Sequence, residues 1–273
     1  MAMADGTTTP ATATRPRVMT PVEAMLRILD RNTIAYRGAW PLFVTGFLEP
    51  VLYLFSIGIG VGKLVESFEF HGQPVPYAAF VAPAMLAASA MNGALLDSTF
   101  NMFFKLKYDK VYDQMLATPL TTSDVARGEV AWCLVRGGTY SAAFLLVMLA
   151  MGYVGSWWAL LVLPATLLIA LATAAVGMAV TTYFTSWQDF EKVTLVQLPM
   201  FLFSATFFPV SAYPAGVRWL VELTPLYRGV VLCRELTTGL LTWGSVFSVV
   251  YLAAIGLLGL RIVRRRFDGL LLK

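Results

Sequence analysis

The chain has 273 residues, of which 58% are hydrophobic and only 13% are charged. Since a soluble domain carries about 25% charged residues, this composition excludes an ordinary soluble enzyme or binding module. Several apolar runs approach the ~20 residues that a helix needs to cross a bilayer. We therefore predict an all-α, polytopic membrane protein.

Residues 1–19 are polar and contain no apolar core. They do not fit a signal peptide, and we expect a disordered cytoplasmic tail. Residues 20–273 are expected to form one transmembrane domain.

An amphipathic helix is predicted for residues 20–37, ahead of the first span. Thr20 is a good N-cap, Pro21 suits the first helical position, and Glu23 completes a capping box. The predicted apolar stripe consists of Val22, Met25, Leu26, Leu29, Thr33 and Tyr36. The charged residues largely off this stripe include Glu23, Arg27 and Arg31. A helix of this kind lies in the plane of the membrane interface.

Six transmembrane helices are predicted to follow. Their approximate ranges are 41–62, 77–103, 131–153, 158–183, 192–212 and 243–262. The fourth is rich in alanine and glycine, which let helix backbones approach closely in lipid, so we expect it to be a packing helix. Lys and Arg concentrate near the N-terminus, between the second and third spans, and at the C-terminus. Both termini are therefore predicted to be cytoplasmic, with the chain in the inner or plasma membrane.

The charged stretch 104–130 interrupts the apolar pattern between the second and third spans. Apolar residues recur in it at helical spacing, namely Tyr108, Val111, Tyr112, Met115 and Leu116. Thr118-Pro119 ends the helix, because proline disfavours the α conformation in the residue before it. A short amphipathic helix between two spans is a surface for a soluble partner, and these five residues are its predicted contacts. The alternative is that the stripe lies on the lipid headgroups or on the protein's own spans.

A second unusual segment, residues 211–242, precedes the last span. It is only half polar and contains two short helical patterns broken at Thr224-Pro225. Each is too short to cross a bilayer. We predict a re-entrant pair or a cap on the outer interface.

Polar residues inside the predicted spans are costly to bury in lipid. Those singled out are Glu49, Asn92, Asp97 and Gln197. They are predicted either to line a substrate path or to hydrogen-bond between helices, and the sequence leaves both interpretations open. For Arg136, near the cytoplasmic edge of the third span, snorkelling to the headgroups is favoured.

No catalytic, metal or nucleotide site is predicted in this chain. His71 is the only histidine, and no hydrolase pattern of Ser, His and Asp occurs. The glycine-rich run 58–63 lacks the spacing, and the Ser or Thr, of a phosphate-binding loop. We expect no cofactor and no ATPase site here, and no disulfide between Cys133 and Cys233.

Several segments together resemble the ABC-2 type exporter permeases. They are Glu49-Pro-Val-Leu-Tyr-Leu-Phe55, Tyr77-Ala-Ala-Phe-Val-Ala-Pro-Ala-Met85, Met115-Leu-Ala-Thr-Pro-Leu120 with Gly128-Glu129, Phe207-Phe-Pro-Val210, and Thr224-Pro-Leu226 with Arg234. In this order they are most similar to the permeases of nodulation lipo-oligosaccharide exporters and of daunorubicin-type drug exporters. The similarity extends from Thr20 to Arg266.

The resemblance implies a half-transporter of six spans. It would pair with a second permease, identical or homologous, and with two copies of a separate ATPase subunit that binds ATP and Mg. The interfacial helix and the helix around 108–116 would contact that ATPase. The substrate path would run between the permeases, lined by the first, second and fifth spans, for glycolipids, lipid-linked saccharides or drugs. No nucleic-acid partner is expected.

Two other function classes stay open at this point. An intramembrane lipid-modifying enzyme would need convergent catalytic groups, which the lone His71 and scattered carboxylates do not supply. A membrane anchor for a soluble partner would explain the cytoplasmic helix, but not a carboxylate such as Asp97 inside a span.

Overall fold

The computed structural model describes residues 19–39, 41–65 and 67–272. The predicted tail therefore lies almost wholly outside the described residues, as does Lys273. The described chain is mainly helical, as predicted. Its helices are α1 (Pro21–Tyr36), α2 (Pro41–Tyr53), α3 (Tyr77–Lys107), α4 (Val111–Leu116), α5 (Thr122–Ala150), α6 (Trp157–Thr181), α7 (Asp189–Leu202), α8 (Ala215–Leu223), α9 (Pro225–Thr238) and α10 (Trp243–Leu271).

Four of the predicted spans are confirmed as helices long and apolar enough to cross a membrane. These are α3, α5, α6 and α10. α2 covers much of the predicted first span and continues through a π-helical turn, Leu54–Ile59. α7 covers only the first part of the predicted fifth span, 192–212, so that range was too long at its C-terminal end. The total of six spans stays a prediction.

Side-chain hydrogen bonds end α7 early. The hydroxyl of Ser204 bonds to the Met200 carbonyl, and the Thr206 Oγ1 donates to the Phe201 carbonyl at 2.8 Å. These bonds satisfy the last helical carbonyls without a further turn of helix. Ala205 between them adopts a left-handed conformation, with φ 55°. The segment is buried, where non-helical backbone at membrane depth is tolerated.

α3 is the central helix and packs against α2, α5, α6 and α9. Small residues bring the backbones together. A Cβ added to Gly93 of α3 would lie 3.0 Å from the Cα of Gly137 in α5. A Cβ on Gly259 of α10 would lie 2.7 Å from the Cβ of Ala175 in α6. The prediction that the fourth span is a packing helix therefore agrees with the contacts of α6.

A β-hairpin between α2 and α3 was not predicted. Its strands are β1 (Ser67–Phe70) and β2 (Gln73–Pro76), paired antiparallel. The turn residues His71 and Gly72 both have positive φ, at 50° and 76°, as a type I′ turn requires. Phe68 packs on Phe80 of α3, with ring centroids 5.3 Å apart. The strands are too short to give a period-2 pattern, so the sequence carried little signal for them.

The two short helices before the last span are found as predicted. α8 and α9 are separated at Thr224-Pro225, where the Thr224 side chain accepts a hydrogen bond from the Tyr227 amide. α9 packs against α3, α6 and α10 rather than lying free. Its buried Arg234 donates to the carbonyls of Phe80 and Ala205 at 3.1 and 3.0 Å. Arg234 thus ties α9 to α3 and to the segment after α7.

Candidate functional site

α1 packs against the first half of α5. Its predicted capping box is present, because Thr20 and Glu23 exchange backbone-to-side-chain hydrogen bonds. The face against α5 consists of Ala24, Ile28 and Asn32, none of which belongs to the predicted apolar stripe. The exposed apolar residues of α1 are Val22, Leu26 and Ile34.

The close approach of the α1 and α5 backbones explains why this face of α1, and not a more apolar one, packs against α5. A Cβ added to Gly128 of α5 would lie 2.6 Å from the Cδ1 atom of Ile28. Helices that meet in or near lipid pack through small residues, so the most apolar side need not be the buried one. The sequence pattern could not distinguish a side that faces lipid from one that faces protein.

A buried lysine connects three helices beneath α1. Lys105, near the end of α3, places its Nζ 2.7 Å from Glu129 Oε2 of α5. The same Nζ donates to Asn32 Oδ1 of α1 at 3.4 Å. All three residues are at most 8% exposed. Separating the lysine from the glutamate would leave an unpaired buried charge, which is strongly destabilising.

A second buried ion pair lies further along the same helices. Arg136 Nη1 of α5 donates to Asp97 Oδ1 of α3 at 2.9 Å. The Tyr36 hydroxyl of α1 donates to the same oxygen at 3.4 Å, and Asn101 also bonds to this carboxylate. Arg136 Nε donates to the Tyr140 hydroxyl at 3.1 Å. α1 is therefore tied to the spans at both ion pairs.

This second pair corrects the expectation for Arg136 and agrees with one of the two interpretations left open for Asp97. Arg136 does not snorkel, because it is paired inside the bundle and 1% exposed. Asp97 bonds between helices and does not join the other predicted path residues. The pairing left a signal in the sequence. Asp97 lies about three turns before the end of α3, and Arg136 about four turns after the start of α5, so an antiparallel pair of helices places them at similar depth.

The predicted partner-binding stripe on α4 is partly buried within this chain. Tyr112 and Met115 are 1% and 6% exposed. They pack in an apolar cluster with Ile28, and the ring of Tyr112 lies 5.7 Å from that of Phe267 in α10. The expectation that these two side chains fill a groove on a partner is corrected, since their apolar surface is already covered. Val111 and Leu116 are partly buried beside them.

Tyr108 does not belong to the α4 stripe. It lies in the turn after α3, is 62% exposed, and stacks on Phe104 with ring centroids 5.3 Å apart. The chain then reverses at Lys110, which has a φ of 48°. This reversal, which the helical periodicity did not reveal, sets Tyr108 apart from Tyr112 and leaves its ring available to a neighbour.

α1 and α4 form one surface groove of about 260 Å³, hereafter the α1–α4 groove. It is lined by Arg27, Ile28, Arg31, Val111, Gln114, Met115, Thr118 and Leu120. Two regions that the sequence singled out separately therefore meet. The two arginines are exposed and give the groove a positive rim. Glu23 lies outside this lining, at the N-terminal end of α1.

A polar cavity of about 170 Å³ brings together the other predicted path residues. It lies between α2, α3 and α7, and Glu49, Asn92 and Gln197 all line it. Gln197 Nε2 donates to Asn92 Oδ1 at 3.0 Å. Glu49 is exposed on the outer face of α2. The cavity offers donors and acceptors to a polar group, between walls that are otherwise apolar.

The connection between α6 and α7 is held by Asp189. The pKa of Asp189 lies well below its ordinary value, because Lys192 Nζ donates to its carboxylate at 2.6 Å. The backbone amides of Thr185 and Ser186 add hydrogen bonds at 2.8 and 3.1 Å. These bonds favour the charged form of the carboxyl.

Residues 23–237 match the family model of the ABC-2 type transporter. This chain belongs to the ABC-2 type transporter family. The resemblance in its sequence motifs is thereby confirmed, and so is the predicted function of a transmembrane permease subunit in an ATP-binding cassette exporter. The family implies an ATPase partner for this permease.

Curated relatives extend along most of the permease. Nodulation protein J of Rhizobium leguminosarum bv. viciae is 33% identical over 217 residues, which are 78% of this chain and 82% of that protein. The bv. trifolii protein of the same name is 34% identical over 217 residues, with 78% and 81% covered. Nodulation protein J of Rhizobium meliloti (strain 1021) is 29% identical over 217 residues, again with 78% and 81% covered.

Proposed function

We propose that this permease exports an amphipathic molecule, a glycolipid, a lipid-linked saccharide or a drug, across the cytoplasmic membrane. The observation that carries the proposal is the connection between the α1–α4 groove and the spans. The groove lies over the cluster of Lys105, Glu129 and Asn32, and Arg136 and Asp97 lie further along the same helices. A force applied to α1 or α4 would reach α3 and α5 through these buried contacts.

The energy for transport comes from the partner in this proposal. Two copies of the ATPase subunit would bind ATP and Mg, and this chain would carry no ATPase site of its own. The positive rim of Arg27 and Arg31 favours an acidic patch on the ATPase. Neighbouring contacts would come from Tyr108, from Gln114 on the exposed side of α4, and from Thr118 just after that helix.

The substrate path would use the face formed by α2 and α7. This face is apolar and uncovered in the single chain, with Leu52, Leu195 and Leu198 respectively 57%, 74% and 57% exposed. The polar cavity opens between the same two helices. A second permease docked here would enclose a path with apolar walls and a few polar groups, which suits an amphiphile.

The orientation belongs to the proposal as well. The α1–α4 groove, the start of α5 and the arginine-rich end of α10 lie at one end of the molecule, where Thr122 bonds to Asp268. The excess of Lys and Arg at this end favours the cytoplasmic side. Both termini would then be cytoplasmic, and the hairpin and α8 would face outward.

Co-purification of the ATPase tests the proposal. The permease is co-expressed with its ATPase subunit as wild type, as the double variant Arg27→Glu/Arg31→Glu, and as the control Arg264→Glu/Arg265→Glu. The control makes the same charge change at exposed positions of α10 outside the groove. We expect the groove variant to lose about tenfold in association, equivalent to ~1.4 kcal/mol, and the control to resemble the wild type.

ATP hydrolysis in proteoliposomes provides the second measurement. An amphiphile that stimulates hydrolysis by the wild-type complex should stimulate the control but not the groove variant. If the groove variant and the control bind the ATPase equally well, the ATPase contacts a surface other than the α1–α4 groove. A wild-type complex that no amphiphile stimulates would favour the anchor interpretation, and lipid turnover without ATP would favour an intramembrane enzyme.

A further inference from the structure

An apolar chamber of about 420 Å³ lies behind α7. Its walls come from α3, α6 and α7, and it is closed at one end by the start of α9 and by Leu252 of α10. Representative lining residues are Met91, Leu95, Val176 and Val196. The volume falls within the ~300–1,000 Å³ typical of ligand sites. Nothing in the family match or in the sequence motifs assigned a role to this chamber.

The chamber has the depth of one leaflet. Its lining extends from Ile169 to Val180 on α6 and from Lys192 to Met200 on α7. At 1.5 Å per residue these stretches measure about 16 and 12 Å. Half of the ~30 Å hydrocarbon core is about 15 Å. The chamber therefore matches one leaflet in length, and its end near Val180 and Lys192 lies on the side of the α1–α4 groove.

One side chain joins this chamber to the polar cavity. Gln197 lines both spaces, and it bonds to Asn92 on the polar side. At the end of the chamber on the side of the α1–α4 groove lies Lys192, whose side chain is 74% exposed. The wall formed by α7 is loosely held, because Asp189 is its only buried residue. An apolar space and a polar space thus share the wall formed by α7.

We propose that the chamber holds one hydrocarbon chain of the exported amphiphile, taken from the leaflet on the groove side. The polar head of that molecule would lie in the cavity of Glu49, Asn92 and Gln197. This inference rests on the proposed export function and specifies its substrate. Because lipid tails are as apolar as the chamber, transfer of the chain gains little hydrophobic energy. The chamber therefore selects by shape and chain length.

Photolabelling tests the chain site directly. The probe is a long-chain alkyl maltoside that carries a diazirine at the end of its alkyl chain, applied to the permease–ATPase complex in nanodiscs. Peptide mass spectrometry should locate adducts on the chamber walls in α3, α6 and α7. An unlabelled long-chain maltoside should compete with the probe, and a short-chain maltoside should not.

Two blocking variants and one control sharpen the test. Val176→Trp fills the chamber from α6, and Val196→Trp does so from α7, where 64% exposure tolerates a larger side chain. Each should lower chamber labelling about tenfold, or ~1.4 kcal/mol in binding. The control Leu257→Trp lies on α10 outside the chamber, is 55% exposed in the wild type, and should leave labelling unchanged.

Several outcomes would overturn the chain site. If the adducts are spread over the exposed face of α10 and the unlabelled maltoside does not compete, the probe reports only its partitioning into bulk lipid. Chamber residues protected from the probe in the dimer would mean that the second permease covers them. Stimulation of ATP hydrolysis by the same maltoside is measured in parallel. If the maltoside stimulates ATP hydrolysis but does not label the chamber, the proposed site for the hydrocarbon chain is wrong and the proposed export function is retained. If it neither labels the chamber nor stimulates hydrolysis, the result also contradicts the proposed export of amphiphiles.

Discussion

Arg136 of α5 and Asp97 of α3 are an ion pair buried between two spans, with 2.9 Å between Nη1 and Oδ1 and each side chain 1% exposed. The guanidinium also lies 5.6 and 5.7 Å from the ring centroids of Tyr36 and Tyr140. Asp97→Ala should therefore destabilise the permease by ~3–5 kcal/mol, because it leaves a buried charge unpaired. Thermal unfolding followed by tryptophan fluorescence measures the loss.

The control for this pair is the double variant Asp97→Leu/Arg136→Met. Since both charges are then absent, we expect it to be more stable than either single variant. Equal stability of wild type and Asp97→Ala would show that the pair contributes nothing. In that case Asp97 would again be a candidate residue of the substrate path.

Tyr112 provides the second prediction. Its ring is buried between α1, α5 and α10, and its hydroxyl has no hydrogen-bond partner among the described residues. Tyr112→Ala should therefore cost ~3–5 kcal/mol through the cavity it leaves. Tyr112→Phe keeps the ring and removes only the unpaired hydroxyl, so its stability should stay within ~1 kcal/mol of wild type.

The measurement is again the unfolding temperature, combined with co-purification of the ATPase. Partner binding by the Tyr112 ring itself would give the opposite pattern, in which Tyr112→Ala folds normally and loses only the ATPase. That pattern would contradict the burial of Tyr112 in the single chain.

Local features were the ones that the sequence predicted well. The capping box of α1 and the break at Thr224-Pro225 depend on residues a few positions apart, and the structure contains both. The long apolar helices follow from bilayer thickness alone. The family motifs predicted the function correctly because their order along the chain was specific.

Features that depend on the surroundings of a side chain were mostly missed. The residues of α1 that pack on α5 lie off the predicted stripe and were not identified, because an apolar residue can face either lipid or protein. Tyr112 and Met115 looked like partner contacts because nothing in the sequence shows that α10 covers them. The pairings of Lys105 with Glu129 and of Arg136 with Asp97 required the relative depth of two helices.

The polar cavity gives the third prediction. Gln197→Leu removes the hydrogen bond to Asn92, and Glu49→Gln removes an exposed charge at the cavity. Both should leave folding nearly unchanged, since neither residue is buried. Loss of a substrate hydrogen bond worth ~0.5–1.5 kcal/mol should raise the amphiphile concentration needed to stimulate ATP hydrolysis by roughly two- to tenfold.

Glu191→Gln is the matched control for this cavity. Glu191 is an exposed carboxylate on the same helix as Gln197, but it does not line the cavity. Its variant should behave as the wild type in the hydrolysis assay. If all three variants respond alike to the amphiphile, the cavity residues contribute only to packing.

The fourth prediction concerns pH and Asp189. Its folded-state pKa is lowered by the Lys192 ammonium and by two backbone amides, so Asp189 contributes stability above the unfolded-state value of about 3.9. That contribution is lost as the pH falls through the lower folded-state pKa. Asp189→Asn should therefore unfold at a lower temperature than wild type at pH 7, and the difference should shrink as the solution is acidified below about pH 4.

Unfolding temperatures of both proteins across an acidic pH series measure this effect. Lys192→Met serves as the companion variant, because it removes the principal cause of the lowered pKa while leaving the carboxylate in place. It should retain part of the pH dependence through the two amides. If the difference in unfolding temperature between wild type and Asp189→Asn instead grows on acidification, the lowered pKa of Asp189 does not explain its contribution to stability.

The last prediction concerns orientation. Both native cysteines are buried, with Cys133 1% and Cys233 0% exposed, so background labelling should be low. Cysteines are introduced singly at Lys107 and Lys192, at the end of the molecule that holds the α1–α4 groove, and at His71 and Trp219 at the opposite end. An impermeant maleimide applied to intact cells should label positions 71 and 219 only, because the Lys- and Arg-rich side is expected to be cytoplasmic. Permeabilised cells should then show labelling at positions 107 and 192 as well, which confirms that these sites are accessible. Labelling at 107 but not at 71 in intact cells would reverse the orientation, and the ATPase would have to meet a different surface of the permease.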